Sequence, residues 1–173
     1  NGTTTMTLYD SSDAGVSHAL LVAGNISGDV ATDANDLRIV VNAIGTAAGD
    51  NEAETLEVKG NIDLGVGTIT LTGDASDDAV LKLSGAADQA IEGAIISTTD
   101  DAGSMVIIAN GANTATFASA VGVSGGAGVE HLQVLAATQG SATFSAAVNV
   151  KTLDQDSDAG ASTLDFNSTY EGA

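Results

Sequence analysis

Apolar and polar residues alternate along most of this chain in short runs. Leu56, Val58, Ile62 and Leu64 keep one parity while Glu57, Lys59 and Asp63 take the other, which predicts strands with one face buried and one wet. Thr68-Ile69-Thr70-Leu71-Thr72, Val80 to Leu83, Met105 to Ile108 and Val129 to Leu135 continue the pattern. The β-branched opening Thr3 to Leu8 and the run His18 to Ile26 read as earlier strands. Leu37 to Ile44 is nearly continuous in apolar character, so burial on both faces is expected there. Short polar clusters at Asp10 to Gly15, Asp33 to Asp36 and Asp74 to Asp78 predict turns whose side chains bond their own backbone, and Gly65-Val66-Gly67 predicts another. Asp50 to Glu54 reads as a charged loop or a first helical turn. One other stretch has a helical reading beside its strand reading: Ala87, Ile91 and Ile95 recur at four-residue spacing, although Gly93 interrupts them.

A second order lies above the alternation. Thr114 to Val123 returns as Ser141 to Val150, a near-copy displaced by about 27 residues, and the strand anchors Leu56, Leu81, Val106 and Leu132 follow one another at about 25 residues. A period of this length with short strands implies an all-β fold, a β-solenoid of the parallel β-helix kind with coils of about 25 residues. A β-sandwich or jelly roll is the alternative, because strands spaced by about 8 to 12 residues suit it too. The first third keeps the strand chemistry but not the period. Residues 1–50 therefore read as a strand-rich segment, a cap or a piece that pairs with another subunit, and 51–173 as the repetitive β domain.

Composition narrows the picture. Hydrophobic residues make up 43% of 173 and aromatics only 3%, with no proline; a core of Ala, Val, Leu and Ile fills thin layers and favours the solenoid over the sandwich. The chain has no cysteine, which removes disulfides, thiolate metal sites and a cysteine nucleophile. A formal charge of −19 repels phosphate backbones and anionic lipid, so nucleic acid is not an expected partner. No apolar stretch approaches transmembrane length, so no membrane insertion is expected. Self-repulsion at this charge is relieved by salt or bound cations. His18 and His131 stand far apart in sequence with no nucleophile or metal signature around them, and the chain reads as a non-enzyme.

The stretch Gly126-Ala-Gly-Val129-Glu130-His-Leu132-Gln-Val134-Leu, followed by alternating strands such as Ser141-Ala-Thr-Phe144, resembles repeats of proteobacterial S-layer proteins, RTX-type surface proteins and autotransporter passengers. The resemblance implies a structural role outside the cell, in a lattice, filament or adhesin, and S-layer members commonly bind Ca²⁺. The glycine-aspartate nonapeptide of RTX calcium rolls is absent: Ser124-Gly-Gly126-Ala-Gly128 has the glycines without the Asp.

For calcium, the best candidate in the residues themselves is Asp154, Asp156 and Asp158, with Asp165 in the place of a closing acid; alternate carboxylates in a tight loop supply the oxygens a hard cation needs. Asp33, Asn35 and Asp36, and Asp74, Asp77 and Asp78, are weaker versions whose simpler reading is an Asx turn. The Thr-x-Thr runs at Thr68 to Thr72 and Thr114 to Thr116 do not form an expected ice-binding face, for want of stacking between successive coils. Assembly is expected through an exposed strand edge that a second copy completes, with Thr3, Thr5, Thr7 and Leu8 as the donated or shared segment. The chain is thus expected to be a self-assembling subunit, a homo-oligomer or polymer at the cell surface, with calcium as its possible ion. A glycan-binding adhesin or phage-fibre module is the alternative function.

Overall fold

A computed structural model describes residues 4–9, 16–28, 37–44, 52–99, 103–123, 128–135, 141–156 and 163–172. Among them there are fifteen strands and no helix. Chain order runs β1 (Thr5–Tyr9), β2 (His18–Val22), β3 (Ile26–Ser27), β4 (Arg38–Asn42), β5 (Ala53–Val58), β6 (Ile62–Thr72), β7 (Asp78–Leu83) and β8 (Gln89–Ser97). It continues with β9 (Ser104–Ile108), β10 (Thr114–Phe117), β11 (Val129–Leu135), β12 (Ser141–Phe144), β13 (Val148–Asp156), β14 (Thr163–Phe166) and β15 (Tyr170–Gly172).

The strands form two sheets. One has the order β1-β4-β6-β8-β10-β12-β14, with β3 also on β6, and the other β15-β13-β11-β9-β7-β5-β2. From β4 to β14 the chain visits the two sheets in alternation, and each visit lies beside the previous one in the same sheet. Each pairing between described strands is parallel. That excludes the β-sandwich or jelly-roll alternative, whose sheets are antiparallel.

Register follows chemistry. Leu20, Leu56, Leu81, Val106, Leu132 and Leu153 stand side by side across six strands of the second sheet. In the first sheet Ile26, Ile62, Ile91, Phe117, Phe144 and Phe166 form one file, and Met6, Ile39, Ile69 and Ile95 another. These files meet in one apolar core, in which Leu56, Leu81, Ile69, Ile95, Leu132 and Phe144 are fully buried. A one-residue slip would turn a whole strand inside out, so the aliphatic parity fixes the register. The two copies of the repeated module are direct neighbours, Thr114 on Ser141 and Phe117 on Phe144.

One open reading is settled and three local expectations fail. Residues 89–97 are strand, not helix: positions four apart share a strand face as well as a helix face, and Gln89, Ile91, Gly93, Ile95 and Ser97 all point inward. β4 alternates, with Ile39 and Val41 buried and Val40 half-buried between them, so its outer face is not covered. Gly65 to Gly67 do not end a strand; they lie within β6, where the register against β8 shifts between Asp63 and Thr68 and Gly65 takes φ 58°. Glu54, placed by sequence in a loop or helical turn, is a buried strand residue of β5. Strands β1 to β4 belong to the same two sheets as the rest, at longer spacing: His18 pairs with Glu54 and Thr5 with Arg38.

Candidate functional site

Two regions carry polar or edge chemistry: the sheet edge formed by β1 and β2, and the acidic corner where β2 meets β5. β1 ends the first sheet, paired on one side with β4, and β2 ends the second, paired with β5. Of the segment expected to assemble, Thr5 and Thr7 are exposed and Leu8 is half-buried against the core; Thr3 lies outside the described residues. Leu20 continues the inward leucine file yet is 39% exposed, and Leu21 and Tyr9 are more exposed still. The core is therefore incompletely covered at this edge. At the opposite edge Leu153, Leu164 and Phe166 are partly buried against the core, and Tyr170 is exposed.

The acidic corner is built by strand parity. Glu54 lies two residues before Leu56, and Glu52 four before it, so both carboxylates point inward with the leucine. Glu54 is fully buried and Glu52 nearly so. Glu52 Oε1 accepts the Val16 N–H at 2.9 Å, and Glu54 Oε1 accepts the His18 N–H at 3.3 Å while lying 2.9 Å from His18 Nδ1. The Ala53 N–H donates to Ser17 Oγ at 2.9 Å. Glu54 of β5, and Glu52 just before it, thus clip His18 at the start of β2 and Val16 just before it. Their other oxygens, Glu52 Oε2 and Glu54 Oε2, are buried and accept no hydrogen bond.

Acids continue along the same margin of the sheet. The Glu52 N–H donates to Oδ1 of buried Asp77 at 3.2 Å. Asp74 Oδ1 accepts from Ser76 at 2.8 Å and from Asp77 at 3.2 Å, an Asx turn as its simpler reading had it. Glu130 Oε2 accepts the Gly103 N–H at 2.6 Å, and its Oε1 lies 3.7 Å from Lys151 Nζ. Burial pushes the Asp78 carboxyl above its ordinary range, and the negative charges of Glu130 and Asp77 add to the effect against the opposing His131.

The calcium candidates fall elsewhere. Asp154 is exposed on β13, which ends at Asp156, and Gln133 Nε2 donates to Asp154 Oδ2 at 3.3 Å. Asp165 is exposed on β14, in the other sheet. Asp158, like Asp33, Asn35 and Asp36, lies outside the described residues. Among the described residues no three His, Asp or Glu side chains form a ready-made metal-ligand group. Thr114 and Thr116 lie beside Ser141 and Thr143, and these beside Thr163 and Asp165, with Thr114 Oγ1 and Ser141 Oγ 2.8 Å apart; no Thr-x-Thr pair stacks on another in these registers. Sequence reasoning missed Glu52 and Glu54 as buried groups. The same parity that marked Leu56 and Val58 would have found them.

No family model matches the chain, and no curated protein or solved structure matches it.

Proposed function

We propose that this chain is a structural, self-assembling segment of an extracellular bacterial filament, S-layer or adhesin, folded as a β-solenoid and acting through its strand edges rather than through catalysis. Support for the solenoid comes from alternate visits of the chain to two parallel sheets, with the anchors Leu56, Leu81, Val106 and Leu132 in register. The observation that carries the assembly reading is β1 itself: an edge strand with exposed Thr5 and Thr7, backed by a core whose Leu20 is open to solvent. An edge of this kind offers a row of N–H and C=O groups and an apolar layer beneath them. A second copy of the chain supplies both, because its opposite edge ends in β14 and β15 with Phe166 and Tyr170. A contact between two different edges is heterologous, and repeated it yields a filament rather than a closed dimer.

Removal of residues 1–9 tests this reading. Negative-stain imaging and size-exclusion chromatography should show polymers for the intact chain and folded monomers for the truncated one. Polymers that persist unchanged after truncation would sink the idea.

A further inference from the structure

We propose that Asn167 is an acceptor for an N-linked glycan, donated as an oligosaccharide carried on a lipid diphosphate. Asn167-Ser168-Thr169 is the Asn-x-Ser/Thr triplet that an oligosaccharyltransferase reads, and it must lie in an accessible surface segment. Asp165, two residues ahead, supplies the acid that bacterial enzymes of this class select in addition. A match this short arises by chance, so its place in the fold decides. Asn167 to Thr169 form the corner that carries the chain from β14, last in the first sheet, to β15, last in the second. All three residues, and Asp165, are exposed. The corner repeats those of the preceding coils. The Asn167 N–H donates to the Phe144 carbonyl at 2.9 Å, as Ser145 does to Phe117 at 2.9 Å and Ala118 to Ile91 at 3.0 Å. Corners 118–120 and 145–147 hold only Ala and Ser, so a saccharide on Asn167 meets no large side chain there. Backbone bonding and the stack of Phe166 on Phe144 hold the corner in place, while the Asn167 side-chain amide has no hydrogen-bond partner among the described residues.

Asn25-Ile26-Ser27 is a second triplet and an internal contrast. Asn25 Oδ1 accepts the Asn61 N–H at 2.9 Å, Ile26 is buried in the core, and Ala23 stands where Asp165 stands in the other. That segment would have to leave the fold to be read. A third triplet, Asn1 to Thr3, lies outside the described residues. Transfer joins Asn167 Nδ2 to C1 of the first sugar. The C1–O bond to the lipid diphosphate breaks, the diphosphate leaves with the bonding pair, and Nδ2 gives up one proton. The inference rests on the extracellular part of the proposed function, because such triplets are used in secreted proteins, and it is independent of strand-edge assembly.

Two measurements test it. The folded, intact chain is incubated with a purified bacterial oligosaccharyltransferase and its lipid-linked oligosaccharide, and the product is mapped by peptide mass. One saccharide is expected on Asn167, lost in Asn167→Gln and in Thr169→Ala and kept in Asn25→Gln. No transfer, or transfer to Asn25 or Asn1 with Asn167 bare, overturns the proposal. The chain recovered from its own cells, after fractionation, should carry a saccharide mass on the peptide that contains Asn167. A bare Asn167 in chain from the cell surface overturns this inference alone; a bare Asn167 in chain confined to the cytoplasm overturns it together with the extracellular reading.

Discussion

Phe117 and Phe144, separated by 27 residues like the hydroxyls of Thr114 and Ser141 three positions before them, stack ring on ring at 4.7 Å and 13°. Phe166 continues the stack at 5.1 Å and 11°, and Tyr170 closes it at a tilt of 55°. Nearly parallel ring planes across three strands form one aromatic file along the first sheet.

Phe144 sits in the middle of that file and is fully buried. Phe144→Ala should lower stability by about 3–5 kcal/mol, the range for truncating a buried aromatic ring. Phe166→Ala should cost less, because Phe166 is half-buried and near the sheet edge. Urea unfolding of both variants checks the order.

Two buried amides should respond unequally. Gln89 Oε1 accepts the Gly85 N–H at 2.8 Å, and Nε2 donates to the carbonyls of Val58 at 3.1 Å and Gly60 at 2.8 Å. The Val58 carbonyl also accepts the Ser84 N–H at 3.0 Å, so Gln89→Ala strips the Gln89 partner from the Gly85 N–H and the Gly60 carbonyl, at about 1–3 kcal/mol for a buried group left unsatisfied. Asn110 is equally buried, yet neither side-chain atom has a partner. Asn110→Ala should be near neutral, since it removes a polar group that was desolvated without return. Equal losses in thermal denaturation would refute the contrast.

Gly103 occupies a corner that admits no side chain. Its φ is +61°, and an added Cβ would run into the backbone of Asp74 and Gly73. Gly103→Ala should unfold the chain or lower its melting temperature by many degrees, whereas Gly24→Ala, with open space around it, should be tolerated. Far-UV circular dichroism on heating distinguishes the two.

Acids on the outer face of the second sheet should titrate in opposite senses. The Ser84 hydroxyl, which donates to Glu57 Oε1 at 2.6 Å, holds the Glu57 carboxyl below its ordinary range against partial burial, and Lys82 assists. A lowered acid contributes stability above its unfolded value and loses it as pH falls through the folded value. Asp78 is raised, so its ionisation opposes folding, fully above the folded value and not at all below the unfolded one. Asp78→Asn should therefore raise the melting temperature at neutral pH, with the gain vanishing in acid. Ser84→Ala should move the Glu57 titration upward, read by carboxyl chemical shifts across an acid series.

By itself the sequence determined the strands and the spacing of their anchors. Alternation of Leu56, Val58 and their successors carries parity, and the copied module carries period; both are local properties of the chain. The same information could not separate strand from helix at Ile91 and Ile95, because four residues complete two strand periods as well as about one helical turn. Only the tertiary structure decided that the pairing is parallel, since antiparallel and parallel strands use the same alternation. It also decided which acids are inside. Asp154 and Asp165, conspicuous in sequence, stand on the outer faces of two different sheets. Glu52 and Glu54, which sequence read as a charged loop or helical turn, are buried because β5 keeps its parity back through Glu54 and the start of β2 lies across them.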